Sequence, residues 1–189
     1  MAIDTGQLSS VPVCAGLANQ QLATLAAHMH HRVVAAGVTL IMAEQPGEVV
    51  YLILSGTVKV SIEQADGVEV ILGLHGPGEL LGEMSAIDLQ GRSANVVTLE
   101  RCTMLWLDRA AFTECLQTMP LLAFNVLRLL SRRLRVANAQ IAVARALSAA
   151  SLVQRQLELK NAQEELKNAF DALNPFDQLM FVNLKPVDR

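Results

Sequence analysis

Residues 49–63 have the sequence VVYLILSGTVKVSIE, and this stretch decides the fold class. An apolar run ends at the pair Ser55-Gly56, and a second run, from Val58 to Ile62, alternates apolar with polar residues. Successive side chains of a strand point to opposite faces, so the alternation is typical of a strand with one buried and one solvated face. Because Ser-Gly is a turn signal, the stretch predicts two neighbouring strands.

Short β-rich runs of the same kind recur on both sides of this stretch. The tetrapeptide Gln64-Ala-Asp-Gly suits a hairpin turn between two of them. Many short strands at such spacing predict a compact β-roll of the jelly-roll kind, so we expect a mainly β fold with flanking helices. The other runs are residues 38–42, 68–72, 95–99 and 102–107.

Helical periodicity frames the β-rich region. A short helix is expected over residues 17–31, and another over residues 109–118 with Asp108 as its N-cap. The expected organisation is an N-terminal tail at 1–16, a roll with flanking short helices at 17–119, a long helix at 120–173 and a C-terminal tail at 174–189.

The long helix carries a repeating apolar pattern. After Pro120 no proline or glycine occurs before Leu173, which favours one very long helix or coiled coil. Two sets of apolar residues recur every seven positions, joined by a step of eleven, a stutter that relaxes a supercoil without breaking the helix. We therefore favour a parallel homodimer through this helix. The alternative, a monomer whose apolar stripe folds back onto the roll, suits only the first set, because too little chain remains to cover the second. The sets are Leu127, Leu134 and Ile141, then Leu152, Leu159, Leu166 and Leu173.

Composition argues against several classes of protein. A net charge of −3 disfavours a broadly basic nucleic-acid-binding surface. The chain has neither a signal-peptide pattern nor an uninterrupted apolar run of about 18 residues, so we expect no membrane association and a cytoplasmic location. The three cysteines are widely separated along the chain, so we expect reduced thiols and no disulfide framework. The histidines at 28, 30 and 31 have no nearby Asp, Glu or Cys that would complete a metal site. With no recognisable nucleophile and base, we do not expect an enzyme.

Residues 78–94, GELLGEMSAIDLQGRSA, carry the chemistry. A helical turn after Gly82 would present unpaired backbone N–H groups, and the glycine permits close backbone approach to an anion. The guanidinium of Arg92 can pair with phosphate oxygens, Ser93 adds a hydroxyl donor, and Glu83 can accept a bond from a sugar hydroxyl. From these residues alone, an ordinary ion pair between Glu83 and Arg92 at a turn explains the segment equally well.

The segment resembles the phosphate-binding cassette of the cyclic nucleotide-binding domain family, in the form found in effector domains like that of the cyclic AMP receptor protein. The matching parts are an apolar-Gly-Glu stretch at residues 81–83, a short helix, and Arg-Ser-Ala at residues 92–94; residues 50–58 also resemble the family's strand and glycine turn. The resemblance extends over residues 16–141.

The resemblance also implies roles for individual residues. Arg92 and Ser93 would hold the cyclic phosphate, Glu83 would take the ribose 2′-hydroxyl, and the backbone at Gly82 and Ala94 would assist. Further members of the site follow from the same alignment. Those expected to line the sugar and base are Leu72, Gly73 and Leu81, with His75 nearby and Asn138 on the long helix as the reader of the base.

Ala137 and Asn138 stand where the receptor protein has a threonine–serine pair. A buried asparagine that fixes coiled-coil register is the alternative role for Asn138.

The resemblance implies a regulatory protein that binds cyclic AMP or cyclic GMP, needs no cofactor, and signals through its dimeric helix to a protein output partner. Transcription factors of this superfamily carry a helix-turn-helix domain after the helix, whereas only sixteen residues follow Leu173 here. We therefore expect no specific DNA binding by this chain alone. The alternative function is a coiled-coil interaction module whose cyclic nucleotide-binding-like domain no longer binds or has been re-purposed.

Overall fold

A computed structural model describes residues 3–172. Eight strands form two four-stranded antiparallel sheets, in the orders β1-β8-β3-β6 and β2-β7-β4-β5. The predicted mainly β, jelly-roll-like fold is therefore confirmed. The strands are β1 His30–Val34, β2 Thr39–Ile41, β3 Val49–Ser55, β4 Val58–Glu63, β5 Glu69–His75, β6 Leu80–Leu81, β7 Asn95–Thr98 and β8 Cys102–Asp108.

The stretch quoted first forms β3 and β4, and Gly56 lies between them with a positive φ of 88°. A Cβ at this position would lie 2.8 Å from the carbonyl oxygen of Arg101, so the turn requires glycine on two grounds. After β4, the predicted hairpin closes with the Gln64 N–H donating to the Val68 carbonyl at 2.9 Å. Because β3 and β4 lie in different sheets, this turn carries the chain from one layer of the roll to the other.

Two apolar clusters hold the roll together. One lies between the sheets and includes Tyr51, Ile53, Val58 and Met104. The other lies on the opposite face of β3 and β8, where Val50, Leu52 and Leu105 contact the helices. Because consecutive residues of β3 enter different clusters, both of its faces are buried, which explains its unbroken apolar sequence.

The described part of the expected N-terminal tail, residues 3–16, is instead folded onto the core. Residues Thr5–Ser9 form helix α1 and Pro12–Cys14 form a 3-10 turn. Leu8 and Cys14 are completely or almost completely buried in the cluster under the helices. The Asn125 amide donates to the carbonyls of Val13 at 3.0 Å and Ala15 at 2.9 Å. Burial of these apolar side chains, together with those bonds, gives the segment a fixed position in the core.

The expected helix over residues 17–31 is shorter, and a strand was missed. Helix α2 spans Asn19–His28, and β1 begins at His30. Every residue of β1 pairs with β8, from His30 opposite Trp106 to Val34 opposite Cys102. The segment lacks an apolar run, so its strand conformation comes from pairing with a neighbour distant in sequence.

The remaining helices are α3 Glu83–Asp88, α4 Arg109–Thr118 and α5 Pro120–Asp171. The predicted N-cap of α4 is confirmed, since the Asp108 carboxylate accepts from the Ala111 N–H at 2.7 Å. The chain divides into two compact units at residues 131 and 132, not at residue 119. The reason is that Leu122, Val126 and Leu129 of α5 are buried in the first unit's core.

The second unit, from Arg132 onward, is described only as the rest of helix α5. Its predicted heptad residues are all exposed: Leu134, Ile141, Leu152, Leu159 and Leu166. Leu173 and the predicted tail at 174–189 lie outside the described residues. By length and composition α5 also satisfies the criterion for a membrane-crossing helix, with a mean hydropathy of 1.3 over its most apolar window. A single helix of this kind does not establish a span, because a helix covered by a partner in water has the same composition.

Candidate functional site

The 80–94 segment crosses from the first sheet to the second through a short helix. Strand β6 ends at Leu81, Gly82 adopts a left-handed conformation with φ 79°, and α3 begins at Glu83. Glu83 lies in the first turn of α3, directly after this left-handed residue, and is only 2% exposed. Leu89 ends the helix, again with positive φ, and the chain then reaches Arg92.

Arg92 is fixed by both its backbone and its side chain. Its N–H donates to the Gln45 carbonyl at 2.9 Å, and its carbonyl accepts from the Glu44 N–H at 2.8 Å. The guanidinium donates from Nη1 to the Gly82 carbonyl at 3.0 Å and from Nη2 to the Val49 carbonyl at 2.7 Å. These bonds use two of the five N–H donors of the guanidinium. The residue is 8% exposed, so a positive charge is held at the protein interior.

Burial lowers the pKa of the Arg92 guanidinium, since a low-dielectric environment disfavours the charged form. Tyr51, Glu83 and Glu48 oppose this by favouring the cation. Arginine has so high an intrinsic pKa that it stays protonated at neutral pH. The site therefore combines a buried cation with a buried carboxylate, a pair suited to a ligand that has an anionic group next to a hydroxyl.

Two glycines leave the space that the arginine occupies. A Cβ at Gly82 would overlap Nη1 of Arg92 and would lie 2.9 Å from the Val49 carbonyl oxygen. A Cβ at Gly47 would overlap the side chain of Ser85 and approach Cζ of Arg92 to 3.4 Å. Glycine at 82 therefore leaves room for the guanidinium and glycine at 47 leaves room for Ser85 beside it.

The structure brings most of the predicted site residues together. Leu81, Gly82, Glu83, Arg92 and Ala94 all lie in or beside this segment, with Leu81 and Ala94 buried. Ser93 is exposed, and its hydroxyl contacts the Met84 sulfur at 3.8 Å.

The other predicted residues lie elsewhere in the chain. Leu72 and Gly73 lie on β5, the edge strand of the second sheet, with Leu72 exposed and Gly73 opposite Val60. His75 on the same strand contacts the Glu79 carboxylate at 3.3 Å. Asn138 lies on α5 in the second unit and is exposed.

Sequence reasoning missed the loop before β3. Glu44 and Gln45 in this loop, and Val49 at the start of β3, supply backbone partners of Arg92 in addition to Gly82, yet the Gln45-Pro46-Gly47 stretch predicts only a turn. A loop residue that acts through its carbonyl has no side-chain signature, so only Gly47 offered a signal. Tyr51, whose β3 position lies opposite Leu81, was likewise assigned only to a strand.

The cysteines and histidines give no second site in the described part of the chain. Burial raises the pKa of the Cys14 thiol to about 11, and it raises the pKa values of Cys102 and Cys115 as well. Thiols of this kind are poor nucleophiles. Among residues 3–172, no group of three or more His, Cys, Asp or Glu side chains is placed to hold a metal ion.

The fold is that of an antiparallel β-roll domain followed by a long helix. The family model described as "Cyclic nucleotide-binding domain" matches residues 31–119. A solved N-terminal domain of a transcriptional regulator from Streptomyces coelicolor is 34% identical, with a TM-score of 0.56, and the match covers 71% of this chain and 94% of that one. The chain therefore belongs to the cyclic nucleotide-binding domain family.

Two further comparisons involve Thermus thermophilus. Its "Cyclic AMP receptor protein" is 35% identical over 129 residues, covering 68% of this chain and 60% of the relative. The crystal structure of its "Catabolite Activator Protein" is 34% identical with a TM-score of 0.64, covering 70% of this chain and 62% of that one. The chain thus spans about three fifths of the length of these relatives.

Proposed function

We propose that this protein is a sensor that binds cyclic AMP or cyclic GMP at the 80–94 segment. The observation that carries the proposal is the buried guanidinium of Arg92, held between the carbonyls of Gly82 and Val49 beside the buried Glu83. Guanidinium N–H donors not used by these carbonyls and the Ser93 hydroxyl would bind the cyclic phosphate, and Glu83 would accept from the ribose 2′-hydroxyl.

Calorimetry of purified, nucleotide-stripped protein tests this directly. Cyclic AMP and cyclic GMP are titrated separately, with adenosine and guanosine as ligands that lack the phosphate. We expect micromolar or tighter binding of at least one cyclic nucleotide and much weaker binding of both nucleosides, because the phosphate supplies the charge that Arg92 pairs. The absence of any binding at high micromolar concentrations of both cyclic nucleotides refutes the proposal and favours the interaction-module alternative.

The choice of base is assigned to Asn138. Its amide can both donate and accept, so it can pair with the edge of either purine. Leu72 and Gly73, with Leu81, are proposed to line the sugar and base. The ratio of cyclic AMP to cyclic GMP affinity should change in Asn138→Ala if this residue reads the base, whereas an asparagine that only fixes helix register changes the dimer and leaves the ratio unaltered.

The proposed output is transmitted by a parallel homodimer through α5 to a protein partner. Support comes from the exposed apolar stripe, whose members include Leu152, Leu159 and Leu166. Exposed leucines on one helix face are covered when a second copy binds. No enzymatic activity, DNA binding by this chain alone or membrane association is proposed, and a cytoplasmic location stays a prediction.

Replacing Leu159 by glutamine is expected to raise the dimer dissociation constant by roughly ten- to thirtyfold, because about 1.5–2 kcal/mol of apolar burial is lost in the interface. Sedimentation equilibrium measures this constant. The matched control is Leu157→Gln, since Leu157 is similarly exposed, 52% against 60%, but lies about 200° away around the helix. If Leu157→Gln dissociates the dimer and Leu159→Gln does not, the interface lies on the opposite face.

A further inference from the structure

Tyr51 occupies a fixed position beside the phosphate-binding segment. Strand β3 places it opposite Leu81 on one side and opposite Trp106 on the other. It is only 6% exposed, and it belongs to the apolar cluster between the sheets. A ring packed on a central strand has few rotamers open to it, so the position of its hydroxyl is set by the fold.

Arg32 reaches this hydroxyl from the edge of the same sheet. It lies on β1, with β8 between β1 and β3, and its Nη1 donates to the Tyr51 hydroxyl at 2.9 Å. Its Cζ lies 5.8 Å from the centre of the tyrosine ring, within range of a cation–π contact. A hydrogen bond from a charged donor is roughly twice as strong as one between neutral groups. Arg32, which is exposed to solvent, therefore donates to the hydroxyl and places a second positive charge at the edge strand of this sheet.

Arg92 is bonded to the backbone close to Tyr51. Its Nη2 donates to the carbonyl of Val49, two residues before Tyr51 on the same strand, and its Nη1 donates to the carbonyl of Gly82, next to the residue paired with Tyr51. The guanidinium is thus held by two backbone carbonyls close to the tyrosine, both toward the start of β3. Tyr51 is also among the groups near enough to interact electrostatically with Arg92.

We propose that Arg32 and Tyr51 are positioning residues of the phosphate site, a role that rests on the proposed function. The Tyr51 side chain, held by Arg32, restricts where the Arg92 guanidinium can move. The charge of Arg32 adds to the positive potential that a cyclic phosphate meets. Neither residue belongs to the 80–94 segment.

A purely structural role makes a different prediction. In that case the Arg32–Tyr51 bond only ties the edge strand β1 to the sheet, and its loss lowers stability without altering how ligand affinity depends on salt. An electrostatic contribution from Arg32 is screened by salt, so its removal makes the affinity less dependent on ionic strength. The salt dependence of binding therefore separates the two roles.

The test is calorimetric titration of cyclic AMP and cyclic GMP, each at low and high salt. Four proteins are compared: the unmodified chain, Tyr51→Phe, Arg32→Gln and the double variant. We expect each single substitution to weaken binding by about three- to tenfold, the size of one partly screened charge or hydrogen-bond contribution. The double variant should lose less than the product of the single losses, because both substitutions interrupt the same contact. Arg32→Gln should also show a weaker salt dependence.

Two controls keep the result interpretable. Arg128→Gln removes the same charge and a similar aromatic contact, 4.4 Å above the Phe124 ring, from helix α5, and it should leave affinity unchanged. Arg32→Lys keeps the charge and should restore the salt dependence. Thermal unfolding of each variant checks that it is folded at the temperature of titration.

The outcomes distinguish the positioning role from the proposed function. If the unmodified protein binds a cyclic nucleotide and Arg32→Gln binds it with the same affinity and salt dependence, the positioning role is overturned and the sensor function stands. If the affinity loss of the double variant equals the product of the two single losses, Arg32 and Tyr51 act independently. That result also overturns the proposal that Arg32 acts through Tyr51. If the unmodified protein binds neither cyclic nucleotide, both inferences fall together.

Discussion

Replacing Arg92 by alanine is expected to weaken cyclic nucleotide binding by about 100- to 1000-fold, or roughly 3–4 kcal/mol. The loss is large because the ligand's phosphate would remain negatively charged in a partly buried site with its main cationic partner removed. The carbonyls of Gly82 and Val49 also lose their donor. We therefore expect a lower melting temperature, with an unfolding penalty of about 1–3 kcal/mol.

Calorimetry and urea unfolding of Arg92→Ala separate the two effects. Arg92→Lys keeps the charge but cannot donate to two carbonyls and a phosphate together, so its affinity should lie between those of the native protein and Arg92→Ala. Arg101→Ala removes an exposed arginine from the loop before β8 and serves as the charge control. An Arg92→Ala protein that is folded and binds within threefold of the unmodified chain contradicts the assignment of the phosphate site.

Replacing Gly82 by alanine is expected to cost about 2–3 kcal/mol of folding free energy, and it should abolish measurable ligand binding. About 1 kcal/mol comes from forcing a side chain into the left-handed region at φ 79°. The rest comes from the new Cβ, which would lie 2.9 Å from the Val49 carbonyl oxygen and would overlap the Arg92 guanidinium. The guanidinium has to leave its position, so the phosphate loses its partner as well.

Gly67 provides the matched control for this substitution. Its φ is 81°, almost that of Gly82, but a Cβ there would meet nothing within 4 Å. Gly67→Ala should therefore show only the conformational cost of about 1 kcal/mol, with ligand affinity unchanged. Urea unfolding measures the loss of folding free energy in both variants. Equal losses would show that the close approach of Gly82 to Arg92 does not add to the cost of the Gly82→Ala substitution.

Much of the fold could be predicted because its signals are local. The apolar runs around Gly56 and the hairpin turn after Glu63 were located within a few residues, and so was the start of the long helix at Pro120. The order Gly82, Glu83, Arg92 was likewise visible along the chain. Each of these features depends on neighbours within about ten residues, which a single sequence displays directly.

The features that were missed depend on contacts between distant residues. Strand β1 has a mostly exposed sequence without an apolar run, and its strand conformation depends on pairing with β8, some seventy residues further along the chain. The first sixteen residues looked like a tail because a buried position such as Leu8 shows no periodicity in so short a segment. The carbonyls that hold Arg92 belong to backbone, which carries no side-chain signal.

The sequence by itself determined that a β-roll precedes a long helix, and that residues 82–92 contain a glycine, a carboxylate and an arginine able to bind a phosphate; the cyclic phosphate came only from the family resemblance. It left a turn ion pair as an equal alternative for Glu83 and Arg92. Only the tertiary structure decided that both side chains are buried and that Arg92 is bonded to the start of β3. It also brought Arg32 to the hydroxyl of Tyr51 on the same strand. The physical reason is that burial and electrostatic environment arise from strands brought together by the fold, and their residues lie far apart in the chain.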